Sequence, residues 1–149
     1  MEAMMVPRTL ILVDPSSPDG EGGLGLVTPE DRAVTLLLTL DGRSAAALRE
    51  FAEAENIDVS LAGLIYLDQV ACRLRLQSDD IETISTAGSD PVNEIFHMLQ
   101  DRPVHRVIVP ASLPGLEAGG LSKLLRSCPV PVIVAPRGSV GNGAFPMAS

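Results

Sequence analysis

The stretch Val34–Leu67, VTLLLTLDGRSAAALREFAEAENIDVSLAGLIYL, decides how the rest of the chain is read. Its opening run, Val34–Leu40, is short, apolar and partly β-branched, and Asp41-Gly42 stops it. Such a run predicts a strand buried on both faces of a parallel sheet. Ser44 then stands as an N-cap, and Ala45, Leu48, Phe51 and Ala52 recur at spacings of three and four while Arg49, Glu50 and Glu53 turn elsewhere, so a helix follows. Asn56 closes it. Val59–Leu67 is apolar again and predicts a second strand, which makes the whole stretch one β-α-β unit.

Working outward toward the C-terminus, Asp68–Gln77 fits two periods: Val70, Cys72, Leu74 and Leu76 alternate as in a strand, whereas Leu67, Val70, Ala71 and Leu74 fit a helix face. Ile81–Ala87 predicts a strand. Asp90-Pro91 is an N-cap followed by proline at the first helical position, and Val92, Ile95, Phe96 and Leu99 line one face of the helix it opens. His105–Val109 predicts a strand, Leu121, Leu124 and Leu125 a short helix, and Val130–Ala135 a final strand. Toward the N-terminus, Asp14–Asp31 carries three prolines, four glycines and five carboxylates with no base, and reads as an acidic loop. Thr9–Val13 before it is an extra strand whose place in the sheet stays open. The expected fold is α/β: a doubly wound, mostly parallel five-stranded sheet of Rossmann-like type with an extra N-terminal strand. The chain divides into an N-terminal strand and loop at 1–32, an α/β domain at 33–137 and a flexible tail at 138–149.

Composition bounds the function. With 149 residues, 46% of them hydrophobic and 20% charged, the chain is sized for one globular domain. No apolar run approaches the roughly 18 residues of a membrane span, and Glu2 with the short run Leu10–Val13 does not make a signal peptide. A cytoplasmic location is expected. The net charge of −8 repels phosphate backbones and anionic membrane surfaces, which argues against nucleic acid and membranes as partners. Two cysteines, Cys72 and Cys128, and two histidines form neither a disulfide framework nor a metal-ligand spacing, so reduced, buried thiols are expected.

Several segments together resemble the universal stress protein family. VTLLLTLDGRS (34–44) resembles that family's first strand ending in Asp-Gly-Ser, with Arg43 intervening before the serine. AGSDPVNEIFHML (87–99) is similar to its third strand and Gly-Asp-Pro helix entry, HRVIVPASLPG (105–115) to its fourth strand and following loop, and CPVPVIVAP (128–136) to its closing strand. ATP-binding members carry a Gly-x-x-Gly motif after the fourth strand and a later Gly-Ser or Gly-Thr. Here Gly115, Gly119 and Gly120 do not have that spacing, and the later pair is missing. A phosphate cradle needs backbone N–H groups at a helix N-terminus. Pro110 and Pro114 supply none, and Glu117 adds negative charge, which Lys123 and Arg126 offset only in part. The resemblance therefore implies a member without the ATP-binding glycine motif and with no expected cofactor. The alternative it leaves is ATP or AMP binding through Asp41, Gly42, Ser44, Ser112, Gly115, Gly119 and Gly120, with Asp41 in the place of the family's nucleotide-contacting first-strand aspartate.

Other motifs carry less. Gly20-Glu-Gly-Gly-Leu-Gly25 spells G-x-G-x-x-G but runs into Val-Thr-Pro-Glu-Asp rather than a helix, so the dinucleotide context fails. His97 and His105 have no acidic or cysteine partner nearby in sequence, Ser112 lacks a nucleophile elbow, and Asp68, Asp79, Asp80 and Glu82 read as solvated turns. No catalytic residue and no metal is assigned. The last strand, with Val130, Val132, Ile133 and Val134, would expose an apolar edge if it lay outermost. The resemblance implies that it pairs across a two-fold axis in a homodimer. The expected function is a non-catalytic regulatory or protein-interaction domain with an unidentified protein partner.

Overall fold

Strands that are aliphatic on both sides must be covered on both sides. A computed structural model of the chain, which describes residues 8–16, 22–28, 30–40, 42–74, 80–86, 91–110 and 121–135, shows how. Five strands, β1 Arg8–Leu12, β2 Ala33–Thr39, β3 Asp80–Thr86, β4 Val104–Pro110 and β5 Val132–Ala135, form one all-parallel sheet in the order β3-β2-β1-β4-β5. Between β2 and β3 lie α1 Gly42–Glu55 and α2 Val59–Leu74. Helix α3 Pro91–Asp101 joins β3 to β4, and α4 Leu121–Ser127 lies between β4 and β5. One face of the sheet, with Ile11, Leu36, Leu38 and Ile108, packs against α1, α2 and a short 3-10 helix, Gly22–Leu26. The other, with Leu10, Leu12, Leu37 and Val109, packs against Val92 and Ile95 of α3 and Leu124 of α4. The chain is thus an α/β protein of Rossmann-like, doubly wound type. Among the described residues no helix is long and apolar enough to cross a membrane.

The structure moves one strand and replaces another. Thr9–Val13, expected as an extra strand, belongs to β1, the centre of the sheet, where Leu10 and Ile11 have no exposure at all. Val59–Leu67, expected as a strand, is the first part of α2, which also absorbs the ambiguous segment as far as Leu74. The physical reason is the cap. Asp58 Oδ1 accepts the N–H of Leu61 at 2.8 Å and the Asp58 carbonyl accepts that of Ala62 at 3.1 Å, which satisfies donors that a helix start leaves open. Ala62, Leu67, Val70, Ala71 and Leu74 then face the sheet. At Gly63 a Cβ would come within 3.1 Å of a Leu38 methyl, so this glycine lets α2 lie close on the sheet.

Asn56 ends α1 as expected, and the geometry shows why. Its φ of 58° is left-handed, Ile57 N–H donates to Ala52 O at 2.9 Å and Asn56 N–H to Glu53 O at 3.3 Å, the paired bonds of a Schellman motif. Ser44 does not cap that helix. It lies inside the first turn and is buried. The segment 14–31 is not simply a loop: Gly22 and Gly23 are buried, and a Cβ at Gly23 would stand 2.7 Å from a methyl of Ile108. Cys72 is exposed rather than buried, because it lies on the solvent side of α2, and Cys128 is half-buried.

Candidate functional site

Where strand order reverses in a parallel sheet, a crevice opens beyond the carboxyl ends of the two strands that flank the reversal. Here the chain runs outward from β1 to β2 and β3 on one side and to β4 and β5 on the other, so the reversal lies between β1 and β4. The residues that leave β1 are Val13, Asp14, Pro15 and Ser16. Val13 N–H donates to Leu37 O at 3.1 Å and so prolongs the ladder. Because Leu12 is in register with Leu37 and Thr39 with Thr86, Asp14 comes level with Thr39 at the end of β2 and Thr86 at the end of β3. These positions continue the alternation that places Leu12, Leu37 and Ile84 against α3.

Asp14 is completely buried. Its Oδ1 accepts two hydrogen bonds from Ser16, from the backbone N–H at 2.9 Å and from Oγ at 2.5 Å. Its Oδ2 is buried and meets no hydrogen-bond partner among the described residues, and the same is true of Thr86 Oγ1. An unsatisfied buried polar atom costs about 1–3 kcal/mol, and more when it is charged. Native structures hold few of them. Helices α1 and α3 follow β2 and β3, so their N-terminal ends lie at this edge and favour a carboxylate there. Chemically, Asp14 Oδ2 is an acceptor waiting for an N–H or O–H, and the Thr86 hydroxyl can give or take one.

Of the residues expected to hold a nucleotide, Asp41, Ser112, Gly115, Gly119 and Gly120 lie outside the described residues, as does the 111–120 segment. Gly42 begins α1 and Ser44 is buried within it. Neither stands at the strand reversal, because β2 is not the first strand of the sheet. The aspartate that leaves the first strand is Asp14. Val130, Val132, Ile133 and Val134 are half-buried on or beside β5, an outermost strand whose only described neighbour is β4. His97 and Asp68 are exposed on α3 and α2, and among the described residues no cluster of metal-ligand side chains occurs.

The opposite edge of the sheet holds the ionic networks. Arg8 binds both oxygens of Asp80, at 2.9 and 3.2 Å, and donates to Thr35 Oγ1 and Val34 O. Arg102 grips Glu82 with Nε and Nη2, both at 2.9 Å, while Thr35 Oγ1 donates to the same carboxylate at 3.0 Å. The bond from Arg102, opposed by burial and aided by Thr35, holds Glu82 below the usual carboxylate range, and the same bond raises Arg102. The bond from Arg8 lowers Asp80. Burial pushes Asp31 upward, but hydrogen bonds from Thr9, the Thr28 N–H and Arg106, with the charge of Arg106, together bring it below its ordinary value. Thr9 gives its proton to Asp31 at 2.6 Å, so His105 Nε2, 3.2 Å away, must donate to Thr9. An open groove of about 840 Å³ runs past Arg8, Asp80, Glu82 and Arg102. Arg8 and Arg102 are already engaged there by Asp80 and Glu82, Asp101 adds a further carboxylate, and the groove lies at the amino ends of the strands. The unsatisfied oxygens at the carboxyl ends make the better site.

No protein-family model and no curated protein matches the chain. Among solved structures, the crystal structure of the hypothetical protein PH0823 is similar at 16% sequence identity and a TM-score of 0.48, covering 85% of this chain and 94% of that one.

Proposed function

We propose that this chain is a non-catalytic regulatory domain, similar to the universal stress proteins, that holds a small nucleoside-class ligand beyond the carboxyl end of β1. The observation that carries this reading is the buried, unpartnered Oδ2 of Asp14 at the strand reversal. A nucleobase N–H or a ribose hydroxyl supplies what that oxygen lacks, and the aspartate takes the role that the resemblance had given to Asp41. The described residues level with Asp14 are threonines, which suit positioning rather than proton transfer. Pro110 and Pro114 offer no N–H to a phosphate, which favours a nucleoside or monophosphate over ATP.

Thermal-shift titration joined to saturation-transfer NMR with adenosine, AMP and ATP–Mg²⁺ tests this. Adenosine and AMP should raise the midpoint to a similar degree, ATP no further, and Asp14→Ala should remove the response. A ligand at about 100 times its Kd adds about 2.7 kcal/mol, well within reach of such an assay. The reading fails if no nucleoside binds, and also if ATP–Mg²⁺ binds tenfold more tightly than AMP.

A second element of the proposal is a homodimer through β5. Its support is position: β5 is outermost, only four residues long, and half-buried at Val132, Ile133 and Val134, so a second copy would complete its cover. Light scattering at micromolar concentration should give twice the mass of the chain, and a monomer would remove this element.

A further inference from the structure

Asp14 Oδ2 is one of two buried side-chain oxygens that lack a partner among the described residues; the other is Thr86 Oγ1, at the end of β3. The backbone of Thr86 is fixed. Its carbonyl accepts the N–H of Leu40 at 2.8 Å, which holds the end of β3 against the end of β2. Successive side chains of a strand alternate between the faces of the sheet, and Ser85 shows which face is which. Its Oγ lies 3.4 Å from where a Cβ on Gly63 of α2 would stand. Thr86 therefore takes the other face, that of α3, where Ile84 packs with Leu12 and Leu37.

Asp14, Thr39 and Thr86 thus form one row across the ends of β1, β2 and β3. Two strand spacings separate the outer members, about 10 Å at the level of the backbone. No single water or ion spans that distance. A molecule with a polar group at each end and a flat body between them does, and the buried Thr39 lies beneath its middle. A nucleoside has this form, with hydroxyls on the sugar and a polar edge on the base.

The two oxygens also differ in what they can bond. A carboxylate only accepts, whereas a hydroxyl gives or takes one hydrogen bond. Ribose hydroxyls can give a proton to Asp14. The edge of a purine base sets ring nitrogens, which accept, beside the group at C6, and ring nitrogens turned to a carboxylate would meet negative charge with no proton between. Against a neutral hydroxyl the same edge is answered in either sense. Chemistry therefore places the ribose at Asp14 and the base at Thr86. Resting on the nucleoside reading of Asp14, we propose that Thr86 selects the base: its hydroxyl bonds the group carried at C6 of a purine that lies across the end of β2.

Isothermal titration calorimetry of the full chain with three probes separates the two ends of the ligand. The probes are adenosine, purine riboside, which carries only hydrogen at C6, and 2′,3′-dideoxyadenosine, which lacks both ribose hydroxyls. In the parent each truncated nucleoside should bind about tenfold more weakly than adenosine, because it leaves a buried oxygen unbonded. Thr86→Val keeps the shape of the side chain and removes the hydroxyl. It should bind adenosine about tenfold more weakly than the parent does, bind adenosine and purine riboside alike, and keep the full penalty for the dideoxynucleoside. Thr86→Ser keeps a hydroxyl and should keep the preference for adenosine. A merely structural role would weaken all three probes equally.

The free protein supplies a second reading. Thr86→Val loses an oxygen without a partner, so its Tm should rise by about 2–4 °C. A variant that melts below the parent shows that Oγ1 is bonded in the free protein, which overturns the proposal without any ligand. If Thr86→Val still prefers adenosine to purine riboside, or if the penalty it abolishes is that of the ribose hydroxyls, Thr86 does not read the base, and the proposal falls while the nucleoside reading of Asp14 stands. If no nucleoside binds the parent, both fall.

Discussion

Replacing Asp14 by asparagine should stabilise the free protein and at the same time abolish the proposed binding of a nucleoside. The asparagine carbonyl can keep both hydrogen bonds from Ser16, which reach Oδ1 at 2.9 and 2.5 Å. What changes is the other atom: a buried carboxylate oxygen without a partner becomes a buried, neutral amide nitrogen without a partner. Both carry the roughly 1–3 kcal/mol penalty of an unmade bond, but only the charged one carries more. The difference is about 1 kcal/mol in favour of the variant, or some 2–4 °C in Tm for a chain of this size. Asp14→Ala is the useful contrast. It removes the unsatisfied oxygen but also the acceptor for Ser16, and two lost bonds at about 1 kcal/mol each offset the gain. Urea unfolding with linear extrapolation, repeated with and without saturating adenosine, reads all three proteins. The expected order in free stability is asparagine above parent, with alanine at or below it, and only the parent should gain from adenosine. If Asp14→Asn instead lowers stability by more than about 1 kcal/mol, Oδ2 is well bonded in the free protein, and the argument for a ligand there collapses.

Gly23→Ala should cost about 1–3 kcal/mol by overpacking, since its Cβ would stand 2.7 Å from Ile108, and a neutral result in urea melts would show that the 3-10 helix does not pack on the sheet. Asn56→Gly should be neutral or stabilising and Asn56→Ala destabilising by about 1 kcal/mol, because the residue is left-handed with φ 58°. The Glu82→Gln and Arg102→Gln double-mutant cycle should give a coupling of about 1 kcal/mol at low salt, discounted for the partial exposure of Glu82, and zero coupling would reduce that pair to a surface contact. Asp31, Asp80 and Glu82 all have lowered pKa values, so the stability they contribute is complete above the unfolded carboxylate range near about 4 and is lost as the pH falls through their lower folded values. Urea midpoints should be level between about pH 5 and 7 and drop below about pH 4, and Glu82→Gln should make that drop shallower.

How far the sequence could be read depended on whether a signal was local. The helix at Pro91–Asp101 rested on proline at its first position and an apolar stripe at helical spacing, and it forms as expected. The stop at Asn56 was equally local. Val59–Leu67 misled because nine mostly apolar residues satisfy a buried strand and a buried helix alike, and the deciding residue, Asp58, lies just outside the run. The central strand was missed through a subtler ambiguity. Thr-Leu-Ile-Leu-Val-Asp at 9–14 and Thr-Leu-Leu-Leu-Thr-Leu-Asp at 35–41 are near copies: each is an apolar run closed by an aspartate and followed within a few residues by serine. Local chemistry cannot say which copy is central, because both are buried on two faces. What decides is the connection that follows. The second run leads into a helical hairpin, α1 and α2, that carries the chain outward to β3 at the edge. Among the described residues the first is followed by the short 3-10 helix, which lies close on Ile11 and Ile108 because Gly23 permits it. Thus the first run is left in the middle with β2 on one side and β4 on the other. Strand reversal follows from that position alone, and it is Asp14 that leaves the central strand there. Gly23, where a Cβ would collide with Ile108, is the signal in the sequence that could have shown which run lies at the centre of the sheet.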